Sequence, residues 1–170
     1  AQIGNNLYPC TPRLRVFLGS PMSIIDTLKI DGYRLVSRIA ESRHCLIFRA
    51  LREQDGERVV IKFLNREYPE PRELSRFRLE YRLTAHLQGL AGVIAAHELI
   101  EVRNSLALIL EDIGGESLAQ NLAELLISDR LRYAIQIADV LARVHENEII
   151  HRDLKPSNII LNPETGVLKL

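Results

Sequence analysis

Late in the chain, eight consecutive residues read His151-Arg152-Asp153-Leu154-Lys155-Pro156-Ser157-Asn158. A carboxylate, an ammonium and a carboxamide thus fall within one short loop, and these groups suit transfer of a phosphoryl group from ATP to a hydroxyl. Asp153 can orient the attacking hydroxyl and accept its proton. Lys155 lies two residues on, which in an extended loop points it to the same side, where it can neutralise charge on the transferred group. Asn158 offers an amide carbonyl, the hard oxygen donor that Mg2+ prefers. The bland alternative is a charged turn after a helix. A second stretch, Val59-Val60-Ile61-Lys62, ends an apolar strand with a lysine that can reach into a cleft while its neighbours are buried. Such a lysine alone is more simply solvated, and its place ahead of the charged loop gives it weight.

The surrounding pattern supplies elements to hold these groups. Residues 1–28 contain scattered Gly and Pro with weak periodicity and read as a leader or linker, with a short extended piece at 14–18. Strands are expected at 33–39, 45–51 and 59–63, with Asp55-Gly56 turning the second into the third. Pro69 and Pro71 precede a helix carrying Leu74, Phe77, Tyr81 and Leu87, which Gly89 and Gly92 end. Two further strands follow at 93–102 and 106–110, with Asn104 at their turn. Gly114-Gly115 marks a break. Beyond it come a short helix at 118–126 and a longer one from 129 to about 147, on which Leu131, Ala134, Ile135, Ala138, Leu141 and Ala142 form one apolar stripe. Short strands at 158–161 and 167–170 complete the pattern. Five antiparallel strands with one helix, then helices, is an α+β, two-lobed order.

Composition narrows the partners. The 170 residues carry 22 basic and 22 acidic side chains, so no excess charge favours nucleic acid or an anionic membrane. No apolar run is long enough to insert in a bilayer, and no secretory layout opens the chain. Cys10 and Cys45 lack a paired spacing, which fits a reducing, cytoplasmic setting. His44, His86, His97 and His145 show no metal-ligand spacing with one another.

The loop at 151–158 and the Val-Val-Ile-Lys strand occur in the order of the eukaryotic-type Ser/Thr protein kinase domain, which the chain resembles over roughly residues 30–170. Lys155-Pro156 ahead of Asn158 is similar to the Ser/Thr rather than the tyrosine class. The resemblance implies a complete N-lobe at 29–113 and the start of a helical C-lobe at 114–170, ending before the Asp-Phe-Gly motif that would bring a second metal ligand. It implies ATP and Mg2+ as cofactors, a protein substrate, and a pairing of Lys62 with the phosphates and with a helix glutamate. Glu80 is the chosen partner; Glu73, in the first turn, is the alternative and more simply complements the helix dipole. Where the family places three loop glycines, Ala40, Ser42 and Cys45 stand, so the backbone loses freedom next to a phosphate. Ile47 and Val60 would cover adenine from above and Ile160 from below. Leu110 would guard the back of the pocket, the backbone of Glu111 and Ile113 would bind the base, and Ser117 would approach the ribose.

A narrower likeness is carried by 60–81, Glu111-Asp112-Ile113-Gly114-Gly115 and Asn162-Pro163-Glu164-Thr165-Gly166. It is to the N-terminal kinase domain of large bacterial multi-sensor hybrid signalling kinases, which implies downstream domains of the same polypeptide as partners. Two other readings compete. One is a non-catalytic kinase-shaped binding module, motivated by the altered glycine loop. The other is a small-molecule phosphotransferase of related fold, disfavoured by Arg152 and Lys155-Pro156. As a fragment the chain is expected to be a poor enzyme and poorly soluble, with the stripe on its long helix left uncovered.

Overall fold

The computed structural model describes residues 28–170 except Arg43 and Glu67, and Asn121 by its backbone alone. The expected leader, its extended piece and Cys10 lie outside the described residues, apart from Leu28.

Two compact units emerge, and they interleave in sequence: 28–81 and 96–112 form one, 82–95 and 113–170 the other. The first is a five-stranded antiparallel sheet of β1 (Tyr33–Glu41), β2 (Cys45–Arg52), β3 (Arg58–Leu64), β4 (Ala96–Val102) and β5 (Ser105–Glu111), ordered β1-β2-β3-β5-β4. Alternation along β3 sends Val59 and Ile61 to one face, where they pack with Ala50, Ala107, Ile109, Ile30 and Tyr33. Leu64 faces the other way and packs with Cys45, Leu106, Leu108 and Phe77. Phe77 comes from helix α1 (Pro71–His86), which opens on a proline that needs no amide partner and carries Glu73 in its first turn. The β2–β3 reversal closes through Gly56 at φ 74°, with its N–H bonded to the Arg52 carbonyl at 2.8 Å. The β4–β5 turn consists of Arg103 and Asn104, and its left-handed residue is Arg103, at φ 55°.

Two boundaries shift for one reason. The strand expected from residue 93 begins at Ala96, and the helix stops at His86, short of Leu87. Leu87 and Val93 are taken by the second unit, where they pack against Val140 and Val144. Gly92 makes that packing possible: a Cβ there would lie 2.2 Å from Val140 Cγ2.

The second unit holds β6 (Glu116–Ser117), helix α2 (Leu118–Asn121), helix α3 (Ile127–Glu146), a 3-10 turn at Pro156–Asn158, β7 (Ile160–Leu161) and β8 (Leu168–Lys169). Strands β6, β7 and β8 form a small antiparallel sheet in that order. The first short helix is less than half as long as expected, because Leu126 is extended and caps α3 instead. Helix α3 buries Tyr133, Val140 and Val144, with Ile137 packed beside Tyr133. The expected stripe is a different face: Leu131, Ala134, Ile135, Ala138 and Ala142 are exposed and Leu141 is half-buried. Periodicity alone does not choose between two apolar faces of one helix.

Candidate active site

In the sheet unit the functional candidates gather on one face. Antiparallel register sets Ile47 opposite Lys62, and Val60 opposite both Arg49 and Leu110. Residues directly opposed across strands share a side, so Ile47, Val60, Lys62 and Leu110 point the same way. Ala40 pairs with Ile47 at the irregular end of β1. Lys62 is largely buried, which costs free energy unless its charge is met. Glu80 on α1 meets it: Lys62 Nζ donates to Glu80 Oε1 at 2.6 Å. The Phe77 ring centroid lies 5.6 Å from the same nitrogen and adds a cation–π contact. Glu73 takes no part in this pair. Its carboxylate accepts from the Glu70 N–H at 2.9 Å and lies 3.1 Å from His44 Nδ1 and 3.4 Å from Arg66. Burial alone would raise the Glu73 pKa, but the Glu70 N–H, His44 and Arg66 together hold it below its ordinary value.

The β1–β2 turn, where glycines would be expected, is closed by Ser42. Its N–H donates to the Cys45 carbonyl at 2.8 Å, while its Oγ accepts from Cys45 N at 3.0 Å and from His44 N at 3.4 Å. Main-chain donors that could face a phosphate are thus met by a side chain of the same turn. The Cys45 side chain is buried with Leu64, Phe77 and Leu108. Register sets Cys45 opposite Leu64, on the same face of the sheet as Ile47 and Lys62, where a small apolar thiol fills the core.

After β5, Asp112 is a residue the sequence reading missed. Its carboxyl is only 3% exposed and stands 3.4 Å from Arg49 Nε and 3.5 Å from an Arg58 nitrogen. The signal available was an acid two residues beyond Leu110, with a basic residue on the neighbouring strand β3 and another on β2 beyond it.

Within the second unit the charged loop is organised around Asp153. Lys155 Nζ donates to Asp153 Oδ2 at 2.6 Å, and Asn158 Nδ2 donates to the same oxygen at 3.0 Å and to the Asp153 carbonyl at 2.9 Å. Both side chains therefore lie on the Asp153 side of the loop. Pro156 begins the 3-10 turn that carries Asn158 back toward Asp153. Ahead of it, Arg152 has φ 60° and the Asp153 N–H bonds to the His151 carbonyl at 2.8 Å, a three-residue turn of the strained, positive-φ kind. Burial lowers the His151 pKa and Lys155 pushes the same way, outweighing the pull of Asp153. Because the Asn158 nitrogen serves Asp153, the amide's carbonyl oxygen is the atom it can offer elsewhere. A neutral oxygen beside a carboxylate is the donor chemistry that suits Mg2+.

Ser117 and Ile160 stand opposite each other on β6 and β7. The Ser117 hydroxyl is engaged: it donates to the Pro156 carbonyl at 3.2 Å and caps α2 by accepting from Ala119 N. Ile113, Gly114 and Gly115 run alongside β7. Asn162, also missed, donates from Nδ2 to the Ile113 carbonyl at 2.6 Å and accepts from Glu164 N and Thr165 N. The Asn-Pro pair ahead of a glycine is a turn signal that would have found it. Gly115 is obligatory for close approach, since a Cβ there would lie 2.7 Å from the Leu161 carbonyl oxygen.

A five-stranded antiparallel sheet with one helix, then helices and a loop built on Asp153, is the α+β order of a kinase-like domain. A family profile described as protein kinase domain matches residues 33–170. The chain is 31% identical over 147 residues to the serine/threonine-protein kinase PknA of Mycobacterium tuberculosis, and equally to that of Mycobacterium bovis. The alignment covers 81% of this chain and 34% of each relative, so the chain spans about a third of the length of these curated relatives. The chain belongs to the protein kinase family, as a domain of the eukaryotic Ser/Thr type. Among the described residues, no helix is long and apolar enough to cross a membrane.

Proposed function

We propose that this chain supplies the nucleotide-binding and catalytic-loop parts of an ATP-dependent protein serine/threonine kinase. Residues 29–113 would serve as its nucleotide lobe and 114–170 as the start of its catalytic lobe. The observation that carries the reading is the Asp153 carboxylate held at 2.6 Å by Lys155 and at 3.0 Å by Asn158. A carboxylate fixed in this way is oriented to accept a proton from a substrate hydroxyl. As the hydroxyl oxygen bonds to the γ-phosphorus, the bond to the bridging oxygen of ADP breaks and the proton passes to Asp153. Lys155 offsets charge on the transferred group. Lys62, positioned by Glu80, serves the α- and β-phosphates. Asn158 would hold a magnesium ion, whose charge offsets that of the phosphate oxygens when bound.

The base-binding set is Ile47, Val60, Leu110 and Ile160, with the backbone of Glu111 and Ile113. Ala40, Ser42 and Cys45 would contribute main chain near the phosphates, and Ser117 would lie near the ribose. The acceptor is a Ser or Thr hydroxyl of a protein. The likeness to multi-sensor hybrid kinases supports a cytoplasmic signalling polypeptide with further domains downstream. The test is Asp153→Asn in the full-length protein: phosphotransfer should fall at least about 10²-fold, the ordinary contribution of a positioned general base. An unchanged rate sinks the assignment.

A second reading, a kinase-shaped module that binds partners without transferring phosphate, is favoured by the Ser42-closed turn. Full-length protein that binds ATP yet labels no protein acceptor would select it.

A further inference from the structure

A buried carboxylate between two arginines, at a position the transfer chemistry does not use, calls for a role. Asp112 follows β5 and is 3% exposed, 3.4 Å from Arg49 Nε on β2 and 3.5 Å from Arg58 on β3. Register explains why these three meet. Val60 stands opposite Arg49 on one side and opposite Leu110 on the other, and Arg58 and Asp112 each lie two residues along the same faces. The charged cluster is therefore continuous with the face that carries Ile47, Val60, Lys62 and Leu110.

Its place in the backbone is as informative as its contacts. The Glu111 carbonyl belongs to the peptide before Asp112, and the Ile113 N–H to the peptide after it. The relative direction of this acceptor and donor is set by the two dihedrals of Asp112 alone. Holding the side chain between arginines from two strands holds its Cβ, and with it both peptides. The Ile113 carbonyl is separately committed to Asn162 Nδ2 at 2.6 Å. The Glu111 carbonyl and the Ile113 N–H are the pair whose relative direction Asp112 governs.

We propose that Asp112, clamped by Arg49 and Arg58, is a positioning residue that sets the direction of the Glu111 carbonyl and Ile113 N–H and so selects an adenine over a guanine base. This rests on the kinase reading above. Adenine offers an amino donor beside a ring-nitrogen acceptor, which complements a carbonyl followed by an N–H. Guanine offers an acceptor beside a donor at the same edge, and a backbone held in one direction leaves both groups mismatched. Discrimination of this type comes from polar groups left unpaired with the wrong ligand. A loosened Asp112 lets the peptides turn, so affinity for the right base falls and rejection of the wrong one weakens.

The experiment uses full-length protein with Asp112→Asn and, separately, Arg58→Gln, whose side chain is 64% exposed. Dissociation constants for fluorescent ATP and GTP analogues are measured by titration, alongside KM, kcat and the melting temperature. Asp112→Asn should weaken ATP binding about tenfold, the worth of one well-aligned hydrogen bond. The ATP-to-GTP preference should fall by a similar factor, with KM rising more than kcat falls. Arg58→Gln should move the preference in the same direction by less, and it carries the test if Asp112→Asn does not fold. Equal weakening of both nucleotides, or a lower melting temperature at constant preference, would show a purely structural role and overturn the proposal. Wild-type protein that binds neither nucleotide overturns the kinase reading itself. Wild-type protein that prefers ATP, with variants that keep that preference, overturns only the role of Asp112.

Discussion

Replacing Glu80 by glutamine removes one negative charge and almost no volume, so it isolates the electrostatics of the Lys62 pair. The two side chains are 10% and 15% exposed, and their charged atoms are 2.6 Å apart. At the effective dielectric of a partly buried site, the gross attraction is about 6 kcal/mol. Desolvation of the two ions offsets much of that. Removing one partner of a fully buried pair costs about 3–5 kcal/mol, because the survivor remains buried and uncompensated. Here the amide can still accept from Lys62, some solvent reaches both groups, and Phe77 stays below the ammonium. The expected loss is therefore about 2–3 kcal/mol, below the range for a fully buried pair. In a chain of this size it should lower the melting temperature by roughly 6–10 °C. The assay is urea and thermal unfolding of wild type, Glu80→Gln, Lys62→Met and the double variant. A coupling energy below about 0.5 kcal/mol in that cycle would refute the reasoning, since such pairs would then be indistinguishable from independent sites.

Three further outcomes are expected. Ser42→Gly removes the hydroxyl that occupies the His44 and Cys45 amides, so ATP affinity of the full-length protein should rise several-fold while stability drops by about 1 kcal/mol; titration with a fluorescent ATP analogue checks it, and unchanged affinity contradicts it. His151 binds its proton less readily folded than unfolded. The unfolded chain therefore takes up more protons once pH falls below about 6.5, and stability should decline on acidification from there. Unfolding at pH 5.5 and 7.5 should show a slope that His151→Phe reduces. Ile135 is 71% exposed on the uncovered face of α3, beside Leu131. Ile135→Asp should therefore reduce concentration-dependent light scattering with little change in melting temperature.

Much of the fold is legible in the sequence because its strands alternate and its turns use Gly where Gly is required. The Lys62–Glu80 contact is legible as a contact, since a lysine near the end of an apolar strand and a mid-helix glutamate eighteen residues later can meet across a sheet-and-helix layer. What escapes notice has physical causes. Helix α3 carries two apolar faces, and period alone does not say that Tyr133, Val140 and Val144 go inward while Leu131 and Ile135 stay outside. Left-handed backbone at Arg103 and Arg152 carries no glycine to announce it. The clustering of Asp112 with Arg49 and Arg58 is written in strand register, a relation between segments far apart in sequence. Ser42 reads as a lost glycine, yet its hydroxyl supplies bonds that no glycine could make.

Residues 82–95 have a consequence for how the molecule can be assembled and dissected. They leave the ribosome as the last turn of α1 and the loop before β4, yet Leu87 and Val93 are covered by Val140 and Val144, and Gly92 and Ile94 are stitched to Leu170 by bonds of 2.8 and 2.9 Å. While the chain is being synthesised, this segment has to wait with its leucine and valine side chains wet until much later sequence arrives. Among the described residues, a single scission therefore does not separate the two units into self-sufficient pieces. A cut after β5 would strand an unpaired apolar loop on the sheet-bearing half and leave a matching hollow in the other.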